Sequence, residues 1–150
     1  MRITANNLEE TRAVGLKLAE RLKAGDIVLL YGDLGAGKTA LVQAVAKGLG
    51  IEAEVTSPTY TLMHLYEHGR IPLCHCDFYR LEVPEQVQAM GFDDFAYSGT
   101  YITMVEWPER MGDAVPANCL EIRIEKSSED ARVFAFAPRG TYEPQWEADC

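Results

Sequence analysis

Apolar residues recur near the start of the chain at helical spacing: Leu8, Thr11, Val14, Leu18 and Leu22 share one face. Asn7 stands where a cap would accept from the first turn, and Glu10 three residues on completes a capping-box pattern. Gly25 suits the helix end. Residues 26–31 (Asp-Ile-Val-Leu-Leu-Tyr) are apolar without alternation, which predicts a parallel strand covered on both faces. A glycine-rich turn leads into a second predicted helix over residues 38–49, ending near Gly50.

Beyond it the pattern changes to shorter periods. Residues 55–62 are rich in hydroxyls and broken by Pro58, which predicts a loop entering a strand at residues 60–66. A turn at 67–70, a strand at 71–78 and a short helix at 84–90 started by Pro84 follow. Residues 101–105 form a second buried strand that ends on Glu106-Trp107-Pro108. Residues 120–125 and 132–137 flank a polar turn and predict a terminal antiparallel hairpin. From Pro138 the chain turns polar, which predicts a loose tail. A leading strand–turn–helix unit with later hairpins indicates an α/β fold with a mixed, mostly parallel sheet, in a single domain over residues 1–150.

Composition narrows this picture. The 150 residues suffice for one core, and 47% hydrophobic with 25% charged residues is globular, not disordered. A formal charge of −9 argues against a broad nucleic-acid surface, which needs Lys and Arg to displace counterions. The start of the chain lacks the apolar stretch of a signal peptide, and no apolar run is long enough to span a bilayer. Cys74, Cys76, Cys119 and Cys150 include no CxxC pair, so Cys74-His75-Cys76 reads as reduced, buried thiols in a cytoplasmic protein before it reads as a metal site.

Gly32-Asp-Leu-Gly-Ala-Gly-Lys-Thr39 matches the P-loop pattern GxxxxGK[ST], between a predicted strand and a predicted helix as its mechanism requires. Gly35 and Gly37 let successive N–H groups face an anion, and the helix from Lys38 adds its positive end. Asp33, Leu34, Gly35, Ala36, Gly37, Lys38, Thr39 and Ala40 are the expected phosphate-binding residues. Lys38 reaches the outer phosphates, and Thr39 ligates magnesium. The expected ligand is therefore ATP with Mg2+. Glu106, closing an apolar strand, is a Walker-B-like metal residue, against the plainer reading of a solvated strand end. Asp77 shares a strand face with Leu73 and His75 and is expected either to orient the attacking water or to form a turn. His75 reads as a packed or hydrogen-bonded histidine. Ser57-Pro58-Thr59 stands where nucleotide switch loops sit.

Four segments in order resemble the TsaE family, the ATPase of bacterial tRNA threonylcarbamoyladenosine biosynthesis. They are the P-loop, Ser-Pro-Thr-Tyr-Thr-Leu (57–62), His-Cys-Asp-Phe-Tyr-Arg-Leu (75–81) and Glu-Trp-Pro (106–108). The resemblance covers most of residues 7–137. It implies a P-loop NTPase fold of three layers and a cytoplasmic ATPase. Its partners would be the threonylcarbamoyl transferase subunit and that subunit's companion. It further implies that Thr39 and Glu106 form the magnesium site, that Thr59 is a switch residue, that Asp77 acts in hydrolysis, and that Thr11 and Arg132 contact the nucleotide. Cys76 stands where the family has a larger apolar residue, and the tail from Thr141 matches nothing in it. Three other readings fit a P-loop less well or less fully. A small-molecule kinase would need a lid and clustered arginines, whereas Arg70, Arg80 and Arg110 are scattered singly. A GTP switch would need an Asn-Lys-x-Asp motif, which is lacking. A nucleotide-controlled binding module with little hydrolysis stays open.

Overall fold

The structure is a computed structural model that describes residues 1–56 and 62–144. A seven-stranded sheet runs in the order β1-β7-β6-β2-β5-β4-β3. Its strands are β1 (Arg2–Ala5), β2 (Ile27–Tyr31), β3 (Met63–Tyr66), β4 (Leu73–Asp77), β5 (Ile102–Glu106), β6 (Cys119–Lys126) and β7 (Arg132–Arg139). The centre, β4-β5-β2-β6, is parallel throughout, while β3, β7 and β1 attach antiparallel to their neighbours. Thus β1, β2, β4, β5 and β6 point one way, and the sheet is mixed but mostly parallel.

Helices α1 (Leu8–Arg21) and α2 (Lys38–Gly48) cover one face of the sheet. Helices α3 (Glu85–Ala89) and α4 (Phe92–Ala96), with a 3-10 segment at Pro108–Ala114, cover the other. The core is accordingly split in two. Leu41, Val45, Leu30, Met104 and Ile122 lie in the α1/α2 layer, and Leu29, Cys76, Phe78, Phe92 and Met111 lie in the opposite one. Phe78 and Phe92 are fully buried and meet edge to face at 6.1 Å. Each contributes about 1.5–3 kcal/mol by leaving water.

Local chemistry sets the ends of α1. Asn7 Oδ1 accepts from Glu10 N at 2.8 Å, and Glu10 Oε1 accepts from Asn6 N at 2.9 Å, so the box closes one residue earlier than its pattern suggests. The helix stops at Arg21, not at Gly25. Leu22 is already extended, and Asp26 Oδ2 takes the Lys23 N–H at 2.9 Å, so a side-chain-closed turn replaces the glycine cap. Gly25, at φ 95°, serves the turn into β2.

The end of the chain also departs from expectation. Strand β7 continues to Arg139, with Pro138 opposite Leu120. Thr141 N donates to Asn118 Oδ1 at 2.9 Å, and Tyr142 packs on the α1/α2 core with its hydroxyl 3.4 Å from Asp26 Oδ2. Residues 138–142 are held by β7, Asn118 and Asp26, partners that a local reading of polarity cannot see, while residues 145–150 of the expected loose tail lie outside the described residues. Three other elements lie outside the sequence expectations: β1, α4 and the 3-10 segment.

Candidate functional site at the P-loop

The site forms where the parallel strands end. Residues 32–37 leave β2 and fold back into α2, with Ala36 N donating to Asp33 O at 3.0 Å. Gly37 is the helix N-cap at φ 106°, a left-handed conformation that a side chain would strain, and Leu41 N closes the first turn on its carbonyl at 3.1 Å. A Cβ on Gly32 would press to 2.7 Å from the Ile124 carbonyl, so the first P-loop position is held to glycine by packing against β6. No side chain caps α2 among the described residues, which leaves its first N–H groups available to an anion.

Lys38 is 4% exposed. Its Nζ donates to the Gly32 carbonyl and stands 3.5 Å from the centre of the Trp107 ring. Burial pushes its pKa down, partly opposed by Glu106 and Glu109. Trp107 adopts φ 59°, the one left-handed non-glycine residue among those described, directly after β5. That turn places the indole between two cavities. Nothing in composition or periodicity announces such a conformation; only the Glu-Trp-Pro segment marks the place.

Thr39 and Glu106 meet as expected. The Thr39 hydroxyl shares its one proton between Glu106 Oε1 at 2.9 Å and Oε2 at 3.0 Å. Glu106 is 3% exposed, so it is not a solvated strand end. His75 Nε2 lies 2.6 Å from Glu106 Oε2, and His75 is fully buried. Asp77 is paired in register with Glu106 across β4 and β5. Its Oδ1 accepts from Tyr79 N at 3.1 Å, so the turn-forming role is real, and it lines the same cavity as Thr39 and Glu106.

That cavity, of about 510 Å³, is bounded by Leu34, Lys38, Thr39, Asp77, Glu106 and Trp107, with Gly35, Gly37 and Ala40 also lining it. Arg80 lines it too, a position the spacing of arginines did not single out. A second cavity of about 650 Å³ lies past Trp107 and includes Asp33, Ala36, Tyr31 and Arg123. The Arg123 guanidinium stands 4.4 Å over the Tyr31 ring. Arg132 reaches the P-loop from β7: its Nε donates to Ala36 O at 2.9 Å, and its Nη1 bonds the carbonyls of Ser128, Glu129 and Ala131. Thr11 is buried on α1 and lines neither cavity. Thr59 lies outside the described residues.

The donor set suits a small hard cation. Thr39 and Glu106 offer oxygen ligands beside the anion cradle, and no cluster of three or more His, Cys, Asp and Glu surrounds a point among the described residues. Magnesium fits such a set, because it keeps several waters and is held by one or two protein oxygens together with phosphate oxygens. The Cys-His-Cys segment does not converge on one point: Cys74 and Cys76 point into the opposite core layer, 3.9 Å apart, while His75 faces α2. Cys74, Cys76 and Cys119 are free thiols.

This arrangement sits within a chain with clear relatives. The family profile of threonylcarbamoyl adenosine biosynthesis protein TsaE matches residues 5–134. The tRNA threonylcarbamoyladenosine biosynthesis protein TsaE of Bacillus subtilis (strain 168) is 38% identical over 134 residues, 89% of this chain and 83% of its own. Its namesake in Synechocystis sp. (strain ATCC 27184 / PCC 6803 / Kazusa) is 46% identical over 110 residues, 70% of this chain and 68% of its own. The crystal structure of Bacillus subtilis YdiB superposes with a TM-score of 0.80 at 34% identity, covering 93% of this chain and 86% of that one. The matched span runs from β1 through the P-loop and the Glu106 strand into β7, and on that ground the chain belongs to the TsaE family.

Proposed function

We propose that this protein is a magnesium-dependent ATPase of the P-loop NTPase class, and that it supports threonylcarbamoyl modification of adenosine in tRNA. The family's place in threonylcarbamoyladenosine biosynthesis supplies the pathway. One observation carries the chemistry: the Thr39 hydroxyl, the Glu106 carboxylate, the Lys38 ammonium and the open N-terminus of α2 converge on one cavity. In this reading the N–H groups of residues 33–40 hold the phosphate oxygens. Lys38 leaves the Gly32 carbonyl for the outer phosphates, and Asp77 orients the attacking water. Magnesium, when bound, would be held by Thr39 and Glu106 and neutralises charge on the outer phosphates. Arg132 steadies the loop through Ala36, and Thr59, which lies outside the described residues, would serve as the switch residue.

The protein would act in the cytoplasm with the transferase subunit and its companion. A second reading, a binding module with little turnover of its own, is favoured by one feature. Lys38 donates to the Gly32 carbonyl and lies against the Trp107 ring, contacts it must leave before it can reach an outer phosphate. ATP hydrolysis by the purified protein, alone and with the two partners, tests both. A large rise on adding the partners, lost in Asp77→Ala, supports the ATPase reading. ATP bound without turnover in either setting leaves the binding module.

A further inference from the structure

We propose that His75 is a positioning residue for the metal-bearing carboxylate, fixing the Glu106 plane so that Oε1 is presented to the cation. The inference rests on the magnesium-ATPase reading and deepens it. His75 lies on β4, two positions before Asp77, and shares its face toward α2 because alternate residues of a strand point the same way. Its neighbours Cys74 and Cys76 point the other way into the core.

The geometry assigns different duties to the two carboxylate oxygens. Oε2 receives the imidazole N–H at 2.6 Å and the Thr39 hydroxyl at 3.0 Å, while Oε1 is met only by Thr39 among the described residues. Oε1 therefore keeps lone pairs for a ligand. A carboxylate 3% exposed is costly to bury unless donors hold it. Here the donors come from two separate elements, β4 and α2, and a third contact pins the main chain: Phe78 N donates to Glu106 O at 3.0 Å. The carboxylate cannot rotate without losing the imidazole. The ring has no competing polar duty, since His75 Nδ1 has no partner among the described residues. Outer partners of this kind, bonded to a ligating group, set metal affinity without touching the metal.

The test is a titration of Mg2+ against the affinity for a fluorescent ADP, with the same affinity measured in EDTA as reference. His75→Leu keeps bulk and removes the donor; His75→Gln restores an N–H at similar reach. The Mg2+ concentration for half-effect should rise about 10- to 100-fold in His75→Leu with the EDTA affinity near wild type, and His75→Gln should recover most of it. A wild-type Mg2+ requirement in His75→Leu, when Glu106→Ala has lost its own, overturns the role of His75. Equal loss of affinity with and without Mg2+ in His75→Leu overturns it too, by making the residue merely structural. If neither wild type nor Glu106→Ala responds to Mg2+, the magnesium reading itself falls, and that result is distinct from the other two.

Discussion

Strands β4 and β5 carry two proteins' worth of chemistry on opposite faces. Toward α2 they present buried His75 and Glu106 and half-buried Asp77, a polar cluster at a cavity. Toward α3 and α4 the alternate positions, Cys74, Cys76, Phe78 and Val105, are apolar and sealed. The backbone, the register and the parallel pairing are common to both faces. What differs is only which parity of residue points where, so a two-residue period separates packing from chemistry over a few ångströms. The lesson is that a buried carboxylate on one face is made tolerable by donors, while the other face supplies the stability that such a cluster does not.

The separation can be broken from the packing side first. Phe78→Ala removes a fully buried ring and should lower the unfolding free energy by about 3–5 kcal/mol, read from denaturant curves. Nucleotide affinity of the fraction that remains folded should stay near wild type. A comparable loss of both would mean that the two faces are not independent.

Lys38→Ala attacks the other side. Removing a charged donor to phosphate should weaken ATP binding roughly 10- to 100-fold by titration calorimetry, with little change in the folding midpoint. Unchanged affinity would remove Lys38 from the phosphate site.

The smallest effect lies at alkaline pH, where Cys119 and Cys76 of the packed face are joined by Tyr142 of the α1/α2 layer. Burial pushes the Cys119 thiol from its ordinary 9.0 up to about 11, and it raises Cys76 and Tyr142 in the same direction. The native state thus keeps protons that the unfolded chain has shed. Stability is fully present below pH 9 and falls as pH rises toward about 11. Unfolding midpoints at about pH 8 and about pH 10.5 should show the decline, with a shallower slope in Cys119→Ala.

Much of this was legible in the sequence, for reasons that are local. The strand–loop–helix at 27–48 declares itself because its apolar run, its glycines and its helix start are contiguous. Thr39 and Glu106 follow from motif logic alone. The His75–Glu106 bond does not, since it exists only once β4 is known to lie beside β5. Strand β1 carries one strongly apolar residue, Ile3, and gains its form from pairing with β7, far along the chain. Helix α4 spans five residues, too short for a period to show, and is launched by Gly91 in the left-handed region. The turn at Trp107 is a conformation that no propensity favours for tryptophan, and its ring lies against Lys38 and Tyr79 from other segments.

The placement of β7 has a consequence for how the protein is made. It pairs with β1, the first strand, and it carries Arg132, whose guanidinium holds the Ala36 carbonyl in the turn between β2 and α2. A ribosome delivers β7 after every other strand. The leading strand must therefore wait for residues 132–135 before it pairs, and the loop at residues 32–37 gains its brace from Arg132 only then. A nascent chain halted before residue 132 would carry the entire P-loop motif and still lack the arginine that steadies it.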